Sequence, residues 1–184
     1  MKILLLSPLY LPPMEYFRKM EEADLVVLDV EGRYDKRFKA LHRTRVSNGE
    51  GAALLTVPVS TPGSSKCKTG ELRVSGHGEW WRVEQQTLAT LFGPTPFFNF
   101  YKHEVFELLN EKAVGENLTD FNIKLILLIR RFLGISTPMS MTLDKRYEKD
   151  EDVEIVDLRS YDFYKDEGAR SVIETLFKEG VGNG

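Results

Sequence analysis

Two short apolar runs near the N-terminus constrain the fold most strongly. Residues 3–6 and 25–28 are uninterrupted apolar segments, which is typical of strands buried on both faces. Between them, the Pro-Pro pair at 12–13 suits the first turn of a helix, and apolar side chains recur every third residue from Met14 to Met20. Two buried strands joined by an amphipathic helix predict a βαβ unit at the start of a parallel sheet.

The middle of the chain has helical periodicity. Apolar side chains recur at helical spacing in three consecutive segments, at residues 79–92, 97–109 and 118–133. Shorter patterns follow, which predict strands at residues 139–143 and 153–158 and a helix at residues 171–178. No internal repeat marks a domain boundary. We therefore predict a single three-layer α/β domain over residues 1–184, with a mostly parallel central sheet and a helical middle segment.

The composition narrows the classes of partner. The net charge of −3 gives no reason to expect binding to nucleic acid. Cys67 is the only cysteine, which excludes an intrachain disulfide and a multi-cysteine metal site. The first apolar run is too short for a signal peptide, and basic residues interrupt the most apolar stretch, residues 123–133. We therefore expect a cytoplasmic protein that does not insert into membranes, and its oligomeric state stays open.

Familiar signatures of cofactor binding and catalysis do not occur in the sequence. The chain has no G-x-G-x-x-G, no P-loop and no H-E-x-x-H motif, so its residues specify no cofactor. Its three histidines, His42, His77 and His103, lack the spacing of metal ligands or of a catalytic triad. The sequence therefore predicts no metal site.

The clearest functional signal is a basic segment. Residues 33–45 contain six lysines and arginines and one acid, and they follow a strand that ends at Asp29. Ligands of open α/β sheets bind just beyond the carboxyl ends of strands, and guanidinium groups bind phosphate or carboxylate bidentately. Arg43 and Arg45 lie two residues apart, which would place both on one face of an extended segment. The segment therefore predicts an anion site, with a solvated, charged strand edge as the alternative.

Aromatic residues are candidate pocket walls. Tyr10 and the dense aromatic segment at residues 97–101 could line a pocket, although aromatic residues at such density more often belong to the core. Trp80 and Trp81 are adjacent, so one face of a helix can bury only one of them. The other is left for a groove or a partner.

A series of short motifs runs through nearly the whole chain. In order, they are Pro8-Leu9-Tyr10-Leu11-Pro12-Pro13, Ala23-Asp24-Leu25-Val26-Val27-Leu28-Asp29, Tyr34-Asp35-Lys36-Arg37, Arg43-Thr44-Arg45, Pro96-Phe97-Phe98, Leu133-Gly134-Ile135 and Asp157-Leu158-Arg159. Their order and spacing resemble the WbqC-like family of bacteria, which is found among genes for surface polysaccharide (O-antigen) assembly.

The resemblance implies an anionic small-molecule ligand such as a nucleotide sugar. It also implies acyl or aminoacyl transfer to an amino sugar during polysaccharide biosynthesis. The sequence departs from the family pattern at Glu84, where relatives similar to this chain carry a histidine, and at Ala89, where they carry a glutamate. Glu84 can replace a histidine as general base only if burial raises its pKa.

Two hypotheses follow from the basic segment and the resemblance. In the first, the protein is a transferase. The residues expected to form its site are Lys36, Arg43 and Arg45 at the phosphates, Tyr10 and Trp80 beside the sugar or base, and Glu84 or His42 in proton transfer. In the second, a non-catalytic binding or assembly protein uses the same anion pocket, or the aromatic surface formed by Trp81 and residues 98–101.

Overall fold

A computed structural model describes residues 1–63 and 66–181, and within them the chain forms eight β-strands and five α-helices. The strands are β1 (Lys2–Leu6), β2 (Leu25–Leu28), β3 (Arg43–Ser47), β4 (Ala52–Thr56), β5 (Val59–Ser60), β6 (Arg73–Val74), β7 (Met139–Ser140) and β8 (Glu154–Asp157). The α-helices are α1 (Met14–Glu21), α2 (Trp80–Phe92), α3 (Phe98–Leu108), α4 (Leu118–Leu133) and α5 (Val172–Glu179). Residues 64–65 and 182–184 of the predicted domain lie outside the described residues.

Four parallel strands form the central sheet, in the order β7-β2-β1-β8. Leu4 of β1 pairs with Val26 of β2 on one side and with Val156 of β8 on the other. Helix α1 joins β1 to β2, so the predicted βαβ unit is confirmed. The predicted class, an α/β fold with a parallel central sheet, is confirmed as well. Strands β3 and β4 form a separate antiparallel hairpin, and β5 pairs with β6.

Both faces of β1 and β2 are buried, which explains their uninterrupted apolar sequences. Leu4 and Leu6 belong to the main core, which also includes buried residues of α1, α4 and α5. Ile3, Leu5 and Val27 form a smaller cluster on the opposite face. That face packs against side chains of residues 143–153, a segment that includes a 3₁₀ turn, so the third layer is thinner than a layer of α-helices.

Helix α4, which contains the most apolar stretch of the sequence, lies in the core. Its N-cap is Asn117, whose side chain accepts hydrogen bonds from the amides of Thr119 and Asp120. The helix ends at Gly134, which adopts a left-handed conformation with φ of 70°. The fully buried Asn122 amide donates to the carbonyls of Pro8, at 2.9 Å, and Leu41, at 2.7 Å. This side chain therefore fixes the loop after β1 and the end of the basic segment against one helix.

The strand predicted at residues 139–143 is shorter than expected. It ends at Ser140, whose hydroxyl donates to the carbonyl of Thr142 and accepts from its amide. Such local side-chain to backbone bonds compete with strand pairing. In the described part of the chain, no helix has both the length and the apolar character needed to cross a bilayer.

Candidate functional site

The order in which the chain adds strands to the sheet reverses at β1. The chain passes from β1 to β2 on one side, whereas β8 lies on the other side of β1. In open α/β sheets, the crevice at the carboxyl ends of the strands beside such a point is the usual ligand site. A cavity of about 560 Å³, here called the first chamber, lies at the carboxyl ends of β1, β2 and β8. Its lining includes Ser7, Asp29, Arg33, Thr69, Asp157 and Arg159.

An arginine held between two acids lines the first chamber. Arg159 donates from Nε and Nη2 to the two carboxylate oxygens of Asp157, at 2.9 and 2.7 Å, and from Nη1 to Asp29 Oδ2 at 3.0 Å. These bonds, first to Asp157 and then to Asp29, raise the pKa of Arg159, and the hydrogen bond from Arg159 lowers the pKa of Asp157. Arg159 and Asp157 therefore remain charged at neutral pH, and the hydrogen bonds hold all three side chains in place.

A second cavity, of about 390 Å³, adjoins the first and is here called the second chamber. The two chambers share Arg37, Phe38 and Ser160. The other polar residues of the second chamber are Lys39, Arg43, Thr44, Arg45, Asp162 and Tyr164. Four cations against one acid make this chamber electropositive, so it suits an anionic group.

Arg43 and Arg45 both line the second chamber, but they differ in their contacts. The Arg45 guanidinium donates from Nε to the carbonyl of Ala169 at 2.7 Å, and from Nη2 to those of Asp166 at 2.7 Å and Tyr164 at 3.2 Å. It also stacks over the Tyr164 ring, with 5.2 Å between the guanidinium carbon and the ring centroid. Arg43 is half-buried, and its Nε has no hydrogen-bond partner among the described residues. Arg45 therefore anchors the segment 164–169, and Arg43 is the better placed of the two to bind a ligand.

The remaining predicted phosphate ligand, Lys36, is exposed and lies outside the lining of both chambers. Its neighbour Arg37 lines both of them instead. Arg37 forms a bidentate pair with Asp35, at 3.1 and 3.0 Å, and this pair is exposed to solvent.

Tyr10 and Glu84 lie together in the core. The Tyr10 hydroxyl donates to Glu84 Oε2 at 2.5 Å, and Glu84 Oε1 has no partner in the portion of the chain that the structure covers. Burial raises the pKa of Glu84 to about 8, and burial together with the Glu84 carboxylate raises the pKa of Tyr10. The condition under which Glu84 could replace a histidine as base is therefore met.

The Tyr10–Glu84 pair does not line the second chamber. Two residues that do line it are Thr44 and Tyr164, whose hydroxyls are hydrogen-bonded to each other. The Thr44 hydroxyl donates to the carbonyl of Leu11 at 3.0 Å, so its proton is engaged and Tyr164 must donate to it. The Tyr164 oxygen keeps an acceptor site, and burial raises the pKa of Tyr164 to about 12.

The structure places Trp80 in the core, away from both chambers. Its ring packs edge-on against Phe121, with 5.8 Å between centroids, and its indole N–H donates to the carbonyl of Ser75 at 2.8 Å. Trp81 is only partly buried, so one tryptophan of the pair is fully buried and the other is not, as the sequence predicts. His42 is 9% exposed and lines neither chamber. Burial, and then the positive charges of Arg43 and Lys39, lower the pKa of His42, so its imidazole is neutral at pH 7.

The acids of the first chamber were missed by sequence reasoning. A usable signal existed, because Asp29 and Asp157 each stand at the carboxyl end of a predicted strand. Arg159 follows within two residues of the second strand end, inside one of the motifs that carry the family resemblance.

A comparison with protein-family models matches residues 7–178 to the model described as the WbqC-like protein family. A search of curated proteins and a search of solved structures each found no match. The match covers nearly the whole chain, and the chain therefore belongs to the WbqC-like protein family.

Proposed function

We propose that this WbqC-like protein binds a nucleotide-linked amino sugar and transfers an acyl or aminoacyl group to its amino nitrogen, in the cytoplasmic biosynthesis of bacterial surface polysaccharide. One observation carries the binding part of this proposal. Arg43, whose Nε has no hydrogen-bond partner among residues 1–63 and 66–181, lines an electropositive chamber that adjoins the point where the strand order reverses. A diphosphate fits such a chamber because guanidinium forks bind phosphate oxygens bidentately.

The proposed ligand contacts in the second chamber come from three cations. Arg43 binds one phosphate directly, Lys39 adds a second positive charge, and Arg37 can exchange its exposed pair with Asp35 for a phosphate. An exposed pair of this kind contributes little to stability, so the exchange is inexpensive. Arg45 supports the site indirectly, because it holds the segment that carries Tyr164.

The proposed reaction is an acyl transfer from an ester or thioester donor. The amino nitrogen of the sugar attacks the acyl carbonyl carbon, so a C–N bond forms and the C–O or C–S bond of the donor breaks. The nitrogen loses one proton, and the leaving group takes one up. Glu84, with a pKa of about 8, and the neutral His42 are the candidate proton acceptors, and each needs an intermediary group to reach the amine because neither lines a chamber.

A second candidate is a binding or assembly protein without turnover. It is favoured by the positions of Glu84 and His42, because neither side chain lines a chamber. A general base must come within hydrogen-bond reach of the proton that it removes, directly or through one intermediary. This candidate uses the same Arg43 site for the same anionic ligand.

Uridine diphosphate glucosamine tests both candidates, because it carries two phosphates and a free amine. At about 100 times its Kd, it should raise the free energy of unfolding by about 2.7 kcal/mol, which thermal unfolding will detect as a higher Tm. Glucosamine, which lacks the phosphates, should leave the Tm unchanged. If neither this nucleotide sugar nor pyrophosphate raises the Tm, both candidates are wrong.

Mass spectrometry then separates the transferase from the binding protein. The stabilising nucleotide sugar is incubated with a panel of acyl thioesters and aminoacyl esters. A transferase yields an N-acylated sugar together with free thiol or alcohol. Stabilisation without product from any donor favours the binding protein.

A further inference from the structure

Asp29 is the acid of the first chamber that keeps the most free acceptor capacity. It follows β2 directly, and its side chain is 21% exposed. Its Oδ2 accepts one hydrogen bond from Arg159, and its Oδ1 accepts one from the amide of Glu31 at 2.9 Å. An ionised carboxylate has about four lone-pair sites, so about two remain for a ligand.

Asp157 differs from Asp29 because both of its carboxylate oxygens bind the same residue. It accepts the amide of Arg159 and two bonds from the guanidinium of the same residue. Its two oxygens are therefore directed at one partner, and its role is to hold Arg159. Arg159 in turn holds Asp29, so the orientation of the Asp29 carboxylate is fixed before a ligand arrives.

The two chambers differ in charge. The first is lined by three acids and three arginines, namely Asp29, Asp35, Asp157, Arg33, Arg37 and Arg159, together with the hydroxyl residues Ser7, Thr69 and Ser160. The second has four cations and one acid. A phosphate is therefore favoured in the second chamber, whereas the balanced, hydroxyl-rich first chamber suits an uncharged polar group.

We propose that Asp29 binds hydroxyl groups of the ligand's sugar in the first chamber, with Arg159 as its positioning residue and the phosphates in the second chamber. Two neighbouring sugar hydroxyls can donate to one carboxylate, and hydrogen bonds to a charged acceptor are stronger than those between neutral groups. This assignment rests on the proposed function and adds to it the orientation of the ligand. It makes Asp29 a specificity residue that distinguishes a sugar phosphate from a bare phosphate.

Calorimetric titration of Asp29→Asn with three probes tests the assignment. Pyrophosphate carries only phosphates, uridine diphosphate adds a ribose, and uridine diphosphate glucosamine adds a hexosamine. The variant should bind pyrophosphate as the wild type does and bind uridine diphosphate glucosamine about tenfold more weakly. A loss for uridine diphosphate as well would identify the ribose as the hydroxyl source, and a loss for the glucosamine conjugate alone would identify the hexosamine.

Glu31→Gln is the matched control, because it makes the same charge change two residues away. Glu31 pairs with Lys68 at 2.8 Å and does not line the first chamber, so all three affinities should be unchanged. Asp29→Glu is the second variant. It keeps the negative charge but displaces the acceptor oxygens, and it should weaken the same probes as Asp29→Asn. Because the readout is a ratio of affinities measured on one protein sample, partial unfolding does not alter it.

Three results would overturn the role of Asp29. In the first, Asp29→Asn and the wild type bind uridine diphosphate glucosamine with equal affinity. In the second, Asp29→Asn loses as much affinity for pyrophosphate as for uridine diphosphate glucosamine. In the third, the wild type binds all three probes with equal affinity. In the last case the anion site stands and only the sugar contact is wrong. If the wild type binds none of the probes, the proposed function fails with it.

Discussion

Replacing Arg43 by alanine is expected to weaken pyrophosphate binding by roughly 10- to 100-fold, because a charged hydrogen-bond donor contributes roughly 1.5–3 kcal/mol. Arg45 is bound to three carbonyls and Arg37 to Asp35, whereas the Nε of Arg43 has no hydrogen-bond partner in the described part of the chain. Calorimetric titration with pyrophosphate at fixed ionic strength measures the effect, and the remaining affinity should fall further as salt increases.

The Arg43→Ala variant should fold normally. Its Nε has no hydrogen-bond partner within the described ranges, so truncation breaks no internal bond at that atom. Arg18→Ala is the matched control, since Arg18 is an exposed arginine of α1 outside both chambers, and its affinity for pyrophosphate should equal that of the wild type. If Arg43→Ala also binds pyrophosphate as tightly as the wild type does, the second chamber is not the anion site.

Glu84 should make the protein less stable as the pH rises. Burial raises the pKa of this carboxyl from 4.5 to about 8, so between these values the folded state holds a proton that the unfolded state releases. Stability falls with pH wherever the folded state binds more protons. The stabilising effect of the protonated form is therefore complete below pH 4.5 and is lost as the pH rises through about 8. The complete loss is on the order of 5 kcal/mol.

Glu84→Gln isolates this effect, because glutamine keeps the shape of the side chain but does not titrate. Urea unfolding at pH 5 and pH 8 should give a large fall in the free energy of unfolding for the wild type and a much smaller one for the variant. Other shifted groups, such as Asp157 and His42, titrate in both proteins and cancel in the difference. Equal changes in the two proteins would show that Glu84 is ionised in the folded state near pH 7.

The sequence predicts most of the fold because buried positions are occupied by apolar residues, and their spacing identifies strands and helices. Strands β1 and β2 are apolar without interruption since both of their faces are buried, and α4 has the bounds that its apolar pattern indicates. Strand β7 has only two residues, which is too few to carry a periodicity. The thin third layer also leaves little trace, since residues 143–153 are mainly polar and charged.

The sequence predicts the cations of the site but does not distinguish their roles. Arg43 and Arg45 have the same residue type and lie on the same face of β3, and they differ only because Arg45 meets carbonyls of residues 164–169, which lie over 100 positions away. Trp80 was expected beside the ligand, yet it is buried on the same face of α2 as Glu84 and Leu88. The Asp29–Arg159 contact forms because β2 and β8 lie on either side of β1, in parallel. No local sequence pattern predicts that these two strands share one neighbour.

A crystal structure of the complex with uridine diphosphate glucosamine tests the central claim most directly. We expect the diphosphate in the second chamber, within hydrogen-bond distance of the Arg43 guanidinium, and sugar hydroxyls against the Asp29 carboxylate in the first. A diphosphate bound outside the second chamber, with Arg43 still unpartnered, would contradict the account.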